Sequence, residues 1–344
     1  MLTTTTTNNC ILNMAKKSLD HLDAIGIIIP EDKSITASSS TTSEGYLLKF
    51  TDQYPKKGKE LPLDFAKYFI PDPKFFQKKK KAKPGEWLAC QKENGQTFMQ
   101  WLRSGPPMPF NRVKTIYLFP LSFLEDPVPK EILEPLQTYA EIFFQIPVKV
   151  MKARNLKDKV PNRINDFVNQ VDAGKILEVM RPLIPSDAFC VAGITMCDLY
   201  PKESWNFVFG LASVAGKSGV YSLARYLSNF GENPTSVYNP DSEKGGKSTI
   251  VMRACKTMCH EIGHMFGIKH CIHYECLMNG SNHQEESDGR PVFLCSVCLR
   301  KLQLACKFDI EQRYQQMIPF WLSHGREDEA SWLQERLKTW EKSK

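Results

Sequence analysis

The chain has no apolar run of about eighteen or more residues, which excludes a membrane-spanning helix. It has no internal repeat, which sets aside repeat architectures. The opening Met1-Leu-Thr-Thr-Thr-Thr-Thr-Asn-Asn-Cys10 lacks a basic start and an apolar core, so it does not read as a secretory signal. The charge excess is small, +7 in 344 residues, and the lysines cluster locally, so it is no argument for a nucleic-acid partner. Histidine is scarce, at seven residues, which gives weight to any place where several gather. What is present is ordinary for a soluble globular protein: 42% hydrophobic and 24% charged. The eleven cysteines are an odd number. Outside one group of four they are scattered (Cys10, Cys90, Cys190, Cys197, Cys255, Cys259, Cys306), which favours free thiols and a reducing compartment. The expectation is an intracellular protein, cytoplasmic or nuclear, that is not secreted.

Three of the seven histidines fall in one pattern, H-E-x-x-H-x-x-G-x-x-H, formed by His260, Glu261, His264, Gly267 and His270. Residues four apart on a helix project from one face, so His260 and His264 can both reach one Zn²⁺ at about 2.0–2.1 Å. Glu261 is rotated around the helix and can contact a water on the metal without being a ligand. A glycine at 267 permits the positive φ that ends a helix and turns the chain, bringing His270 back as a third ligand. Three protein ligands leave a fourth position for water, the mark of a catalytic zinc. Zinc lowers the pKa of that water to about 7, and Glu261 would take its proton as the water attacks a carbonyl. A helix with core histidines is the bland alternative; Gly267 and His270, added to the shorter motif, set it aside.

Directly after comes C-x4-C, a polar loop, then C-x-x-C: Cys271, Cys276, Cys295 and Cys298. Four thiolates fit a closed tetrahedral structural zinc. Disulfides or a redox C-x-x-C are the alternatives, but neither a secretory context nor a surrounding βαβ pattern supports them. His273 and His283 read as solvated loop residues. Two zinc ions per chain are expected, one catalytic and one structural. Because His270 and Cys271 are adjacent, the structural ion would brace the segment that delivers the third catalytic ligand.

With Met278 following it, the extended motif resembles the metzincin zinc peptidases, in which a methionine turn lies beneath the zinc. The four cysteines interleaved with that turn resemble one branch, the archaemetzincins, and the vertebrate kind in particular. Asp187-Ala-Phe-Cys-Val-Ala-Gly-Ile-Thr, Ser204-Trp-Asn-Phe-Val-Phe-Gly and Gly280-Ser-Asn-His also match, and the likeness extends over roughly Val113 to Phe320. The resemblance implies an α/β fold: a mixed, mostly parallel twisted sheet, a long active-site helix and a zinc-bound C-terminal subdomain. It implies Met278 as the supporting turn and an edge strand that pairs with extended peptide; the strand near Val220 to Tyr226 is the candidate. The tyrosine that many metzincins carry after the methionine turn is replaced by Asn279-Gly280-Ser281-Asn282-His283. The oxyanion stabiliser is therefore open, with His283 the residue to examine. No prodomain cysteine switch is evident; Cys10 and Cys90 are the thiols that could play one.

In chain order, residues 1–45 read as a disordered N-terminal segment, 46–110 as an N-terminal extension, 111–325 as the catalytic domain and 326–344 as a C-terminal helix. The run Ala24 to Ile29 leans towards a strand without excluding a helix end. Lys78-Lys79-Lys80-Lys81 reads as a solvated loop or as a nuclear-import or anion-binding patch. Phe98 to Leu102 suggests a short helix. Strands at 115–119, 148–151, 189–196, 206–211 and 220–226 alternate with helices at 129–144 and 174–180, which implies a largely parallel sheet. Gly231 to Lys247 reads as a loop, and 249–266 as the helix carrying His260 and His264. Helices at 299–306, 310–322 and 327–341 close the chain. The function expected is a zinc-dependent peptidase acting on peptide or protein, a monomer with no membrane partner and none expected among nucleic acids. The rival is a zinc-stabilised interaction protein with little or no peptidase activity. A nucleic-acid-binding zinc module is weaker still, because it lacks a basic recognition helix.

Overall fold

A computed structural model describes residues 67–124, 127–232, 238–239 and 246–341, together with the backbone of 27–28 and 49–50. Residues 1–45, expected to be disordered, lie outside the described residues apart from 27–28. So do most of the loop expected at 231–247 and the thiol of Cys10.

The run Ala24 to Ile29 contributes a strand, β1 (Ile27–Ile28), paired antiparallel with β2 (Lys49–Phe50). A single 3-10 turn at Lys67–Phe69 and two short helices, α1 (Trp87–Cys90) and α2 (Phe98–Arg103), follow. Helix α2 starts on a capping box: the Gln100 amide donates to the Thr97 hydroxyl, and the Thr97 amide donates to the Gln100 side chain. Its inner residues Phe98 and Trp101 are fully buried in the main core. The segment expected as a separate extension thus shares the core of the rest, at least from Phe69 onward.

The main sheet is built on β3 (Thr115–Ser122), which pairs parallel with β4 (Val148–Val150) and β5 (Arg154–Asn155). Between them runs α3 (Lys130–Phe144), whose Ile132, Leu136, Tyr139, Ala140, Phe143 and Phe144 are buried at the three-and-four spacing of one face. A second, three-stranded sheet consists of β6 (Asn162–Asn165), β7 (Val168–Asp172) and later β9 (Asp198–Tyr200). The sequence reading missed it. Strand β6 alternates exposed and half-buried residues with little apolar content, and its hairpin turn uses positive φ at Asp166 and Phe167 in place of the usual glycine signal.

Helix α4 (Ala173–Met180), capped by the Asp172 side chain, leads into β8 (Ala188–Thr195). All eight residues of β8 are buried, as its unbroken apolar run predicts for a strand covered on both faces. It pairs parallel with β3 on one side and with β11 (Ser218–Ser222) on the other. Strand β10 (Gly210–Ser213) pairs antiparallel with β11 and closes that side of the sheet. The order is β10–β11–β8–β3–β4, mixed and mostly parallel as expected.

The order corrects one expectation. The segment Val220 to Tyr226 is not the edge: its first half is β11, an interior strand, and Ala224–Tyr226 is a 3-10 turn. The hairpin between Ser213 and Ser218 is short enough to fold β10 back over β11, so β10 takes the outer position.

Helix α5 (Gly246–Met265) packs on α3 and against β10 and β11. From Ile250 onward nearly every side is buried, so a polar residue on it needs a partner or a purpose. After it come α6 (Gln284–Gly289), α7 (Ser296–Cys306), α8 (Ile310–Ser323) and α9 (Glu327–Glu341). The aromatic stripe of α9 is a packing face: Trp332 stacks on Phe293 at 4.2 Å, and Trp340 meets Tyr68 and Tyr314.

Candidate active site

Helix α5 ends where the sequence says it should. Gly267 has φ +73°, its amide donates to His264 O, and the Ile268 amide reaches back to Gly263 O at 3.2 Å. This is a Schellman ending, which needs a left-handed residue at its close. The turn directs Ile268–His270 back across the helix, and the three imidazoles meet. Ring centroids lie 4.6 Å apart for His260–His264, 5.2 Å for His260–His270 and 4.9 Å for His264–His270. One nitrogen from each ring falls within 4.8 Å of the others.

Hydrogen bonds fix which nitrogen faces inward. His260 Nδ1 donates to Leu277 O at 3.0 Å, His264 Nδ1 to Ile268 O at 2.7 Å, and His270 Nδ1 to Glu93 Oε1 at 2.8 Å. These oxygens can only accept, so a neutral ring so bonded carries its proton on Nδ1 and its lone pair on Nε2; the Arg290 guanidinium also lies 3.2 Å from His260 Nδ1, but it donates more closely to Asn279 O at 2.7 Å. The Nε2 atoms of His260 and His264 face each other at 3.0 Å. Two lone pairs so placed repel unless a cation lies beside them, and nitrogen ligands on a tetrahedral zinc sit about 3.3 Å apart. The donor set therefore fits the metal. Burial, with repulsion from the neighbouring rings, pushes the pKa of His260 well down and that of His264 down to about 3, so both are neutral, as ligands must be.

Glu261 sits beside this cluster with its side chain turned to the sheet. A Cβ on Gly210, at the start of the edge strand, would lie 2.6 Å from the Glu261 carboxyl carbon. Without a metal beside it, burial raises the carboxyl pKa to about 8, against the opposing pull of Arg290; a dication held by the three histidines would draw it back to the ionised form that a base needs. Both residues line one cleft of about 940 Å³ with the three histidines. Its walls are Phe207, Phe209 and Leu211 on the sheet side, and Trp87, Asn94 and Gln96 on the other. Under the helix lies Met278, fully buried, with its sulfur 2.7 Å from where a Cβ on Gly263 would be. Met278 O accepts the Cys271 amide, so the methionine and the cysteine loop form one folded unit.

The four thiols Cys271, Cys276, Cys295 and Cys298 are buried, and their sulfurs also lie within 4.8 Å of one another. Cys271 and Cys295 sulfurs are 3.6 Å apart, far beyond a disulfide and close to the edge of a zinc–thiolate tetrahedron, about 3.8 Å. Hydrogen bonds from the other three thiols hold the Cys271 pKa well down, whereas burial drives Cys276 and Cys295 up. A dication in place of those protons would let all four be thiolates, so this set fits a metal as well. The Cys295 and Met278 amides already point at Cys276 Sγ, at 3.2 and 3.5 Å. Asn279 ties the loop together: its amide donates to Cys271 O and Tyr274 O, and its oxygen accepts from Cys276 N.

The other expected residues fall elsewhere. His283 caps α6, accepting the Glu286 amide on Nδ1, and the cleft lining at this point is Ser281 and Asn282 instead. Cys90 lies exposed at the end of α1, outside both ligand clusters. The lysine run is pinned along the cysteine loop: Lys78 bridges Tyr274, the Lys79 amide donates to His273 O, and Lys79 Nζ pairs with Glu275 at 3.0 Å. Sequence reasoning missed Glu93, Gln96, Trp87, Arg290 and Gly210. Glu93 and His270 are 177 residues apart, and no spacing rule links them. The Arg290 guanidinium donates to Asn279 O and Ser287 Oγ behind His260. A buried arginine of this kind carries no local sequence signal.

A zinc peptidase is the class that this cleft and these ligand sets describe, and comparison with known proteins gives the family. The model of peptidase family M54 matches residues 148–304. Archaemetzincin-2 of Macaca fascicularis is 37% identical over 260 residues, covering 68% of this chain and 71% of the relative. Human archaemetzincin-2 is 36% identical over 258 residues with the same coverage, and human archaemetzincin-1 is 30% identical over 280 residues, 74% of this chain and 53% of the relative. Among solved structures, the archaemetzincin of Methanopyrus kandleri is 27% identical, covers 58% of this chain and 99% of its own, and has a TM-score of 0.45. The chain belongs to the archaemetzincin family of zinc metallopeptidases, peptidase family M54.

Proposed function

We propose that the chain hydrolyses peptide bonds with His260, His264 and His270 as ligands of a catalytic zinc, Glu261 as general base, and Cys271, Cys276, Cys295 and Cys298 around a second, structural zinc. The observation that carries this reading is the convergence of three inward Nε2 atoms with a buried carboxylate laid over the first residue of an edge strand. Bound zinc supplies a Lewis acid that polarises the scissile carbonyl and acidifies water. The rest is the work of the chain. Strand β10 is the outermost strand on its side of the sheet among the described residues, so its outer side can take an extended peptide along the cleft as an added strand. Glu261 accepts a proton from the attacking water and delivers it to the amide nitrogen as the C–N bond breaks. The aromatic wall at Phe207 and Phe209 and the indole of Trp87 narrow the cleft around that strand and exclude bulk water.

Met278 is the supporting turn. It fills the space left by Gly263 directly below the histidines, and its own backbone is tied to the cysteine loop. The test is cleavage of a peptide library by metal-defined protein. Cleavage should stop on chelation and return when zinc is restored. Cleavage that persists after complete removal of zinc would overturn the mechanism. Intact zinc binding with no cleavage of any peptide would favour the interaction-protein reading.

A further inference from the structure

The three histidines are not oriented alike. His260 and His264 stand on α5, and their Nδ1 protons go to main-chain carbonyls that the helix ending and the methionine turn fix in place. His270 stands on an irregular stretch, and its Nδ1 proton goes to a side chain, the carboxylate of Glu93. That carboxylate comes from the segment between α1 and α2, well before the residues that the family model matches. It is held in turn. Trp87 Nε1 donates to the same oxygen at 3.0 Å, and the Trp87 ring meets the edge of the His270 ring at 5.0 Å between centroids. The indole occupies the space over Gly280, where a Cβ would lie 2.4 Å from it. Three residues further on, Gln96 donates to Gly267 O at 3.1 Å and accepts from Lys269 N at 3.2 Å. The buried Lys301 ammonium donates to the Gln96 carbonyl and side-chain oxygen. One segment thus grips the turn on the near side of His270 and the ring of His270 itself.

We propose that Glu93 is the positioning residue for His270: by accepting its Nδ1 proton, it fixes the ring's tautomer and rotation so that Nε2 faces the other two histidines. The inference rests on the reading of His270 as a metal ligand. An imidazole without such a partner exchanges its proton between the two nitrogens and turns about its side-chain bonds, so part of its population offers an N–H where a lone pair is needed. A carboxylate behind a ligating histidine removes that loss and makes the ring a stronger donor, and partners of this kind are worth about 10–100-fold in metal affinity. Residues 87–96 would then be part of the metal site and not merely a wall of the cleft.

The experiment uses the full chain with Glu93→Ala and Glu93→Gln. The first readout is zinc affinity of the histidine site by competition with a chromogenic chelator. Glu93→Ala should weaken it by about 10–100-fold, and Glu93→Gln, which keeps an oxygen acceptor, by less. The second readout needs no metal at that site: the ring-nitrogen NMR shifts of His270 in protein stripped of catalytic zinc. The parent should show the Nδ1–H form and Glu93→Ala a mixture shifted to Nε2–H. A Glu93→Ala protein with unchanged tautomer and zinc affinity within about twofold of the parent, whatever its Tm, would overturn the proposal and leave Glu93 a packing residue. His264→Ala tests the ligand reading separately, because that variant must lose the site's zinc whether or not Glu93 positions anything.

Discussion

Gly210 shows how much of the site depends on single atoms. A methyl group there would fall 2.6–2.7 Å from three atoms of the Glu261 side chain. The carboxylate is the movable partner, so Gly210→Ala should displace it while the helix, the histidines and the fold persist. A shift of about 1 Å at a reacting group costs about 100-fold in rate. The expected result is a kcat about 100-fold lower with zinc occupancy and Tm close to those of the parent; an unchanged kcat would mean that the carboxylate does not work from this position. His260 and His264 were legible in the sequence because a helix imposes a fixed spacing on side chains that share a face, and Glu261 and His270 because the motif sets them at fixed offsets, one within the helix and one beyond its glycine stop. Gly210 and Glu93 were not, because their partners are set by the packing of distant segments.

Among the elements, helix α5 and the cysteine loop were predicted closely, and for the same reason. The helix has a local stop signal in Gly267, and the loop has paired cysteines whose spacing lets the four sulfurs meet. The edge of the sheet was misassigned because strand order is not a local property: Val220 to Tyr226 and the segment before it both read as strands, and only the hairpin decides which lies outside. The short second sheet was unseen because its strands carry little apolar patterning. The cysteine loop holds the two sites together, since Cys271 follows His270 and its amide binds Met278 O. On the proposed two-zinc reading, Cys295→Ala leaves three thiolates for the structural ion. The variant should lose several kcal/mol, a fall of about 10 °C or more in Tm at about 2–4 °C per kcal/mol, and peptide cleavage should fall with it. A melting temperature equal to the parent's would argue against a structural zinc in this loop.

Across the whole molecule, the two ligand clusters differ in access. The four sulfurs are buried in the core, whereas the histidine site opens on the cleft. Elemental analysis should therefore find about two zinc ions per chain, and mild chelation should remove one of them, with activity, before the other. Saturation at one ion per chain would contradict the two-site account. The N-terminal segment belongs to the same body from Phe69 onward, through Phe69, Phe98 and Trp101 in the core and through Glu93 and Gln96 at the site. That integration could not be read from its composition, which is rich in lysine and proline.

The most direct test of the central claim is Glu261→Ala, measured for zinc occupancy and peptide cleavage together beside the parent and His264→Ala. If Glu261 is the base and not a ligand, its variant keeps the zinc content and Tm of the parent while cleavage drops by about two to four orders of magnitude. His264→Ala, by contrast, loses the catalytic zinc as well as the activity. A Glu261→Ala protein that cleaves at the parent's rate would contradict the account.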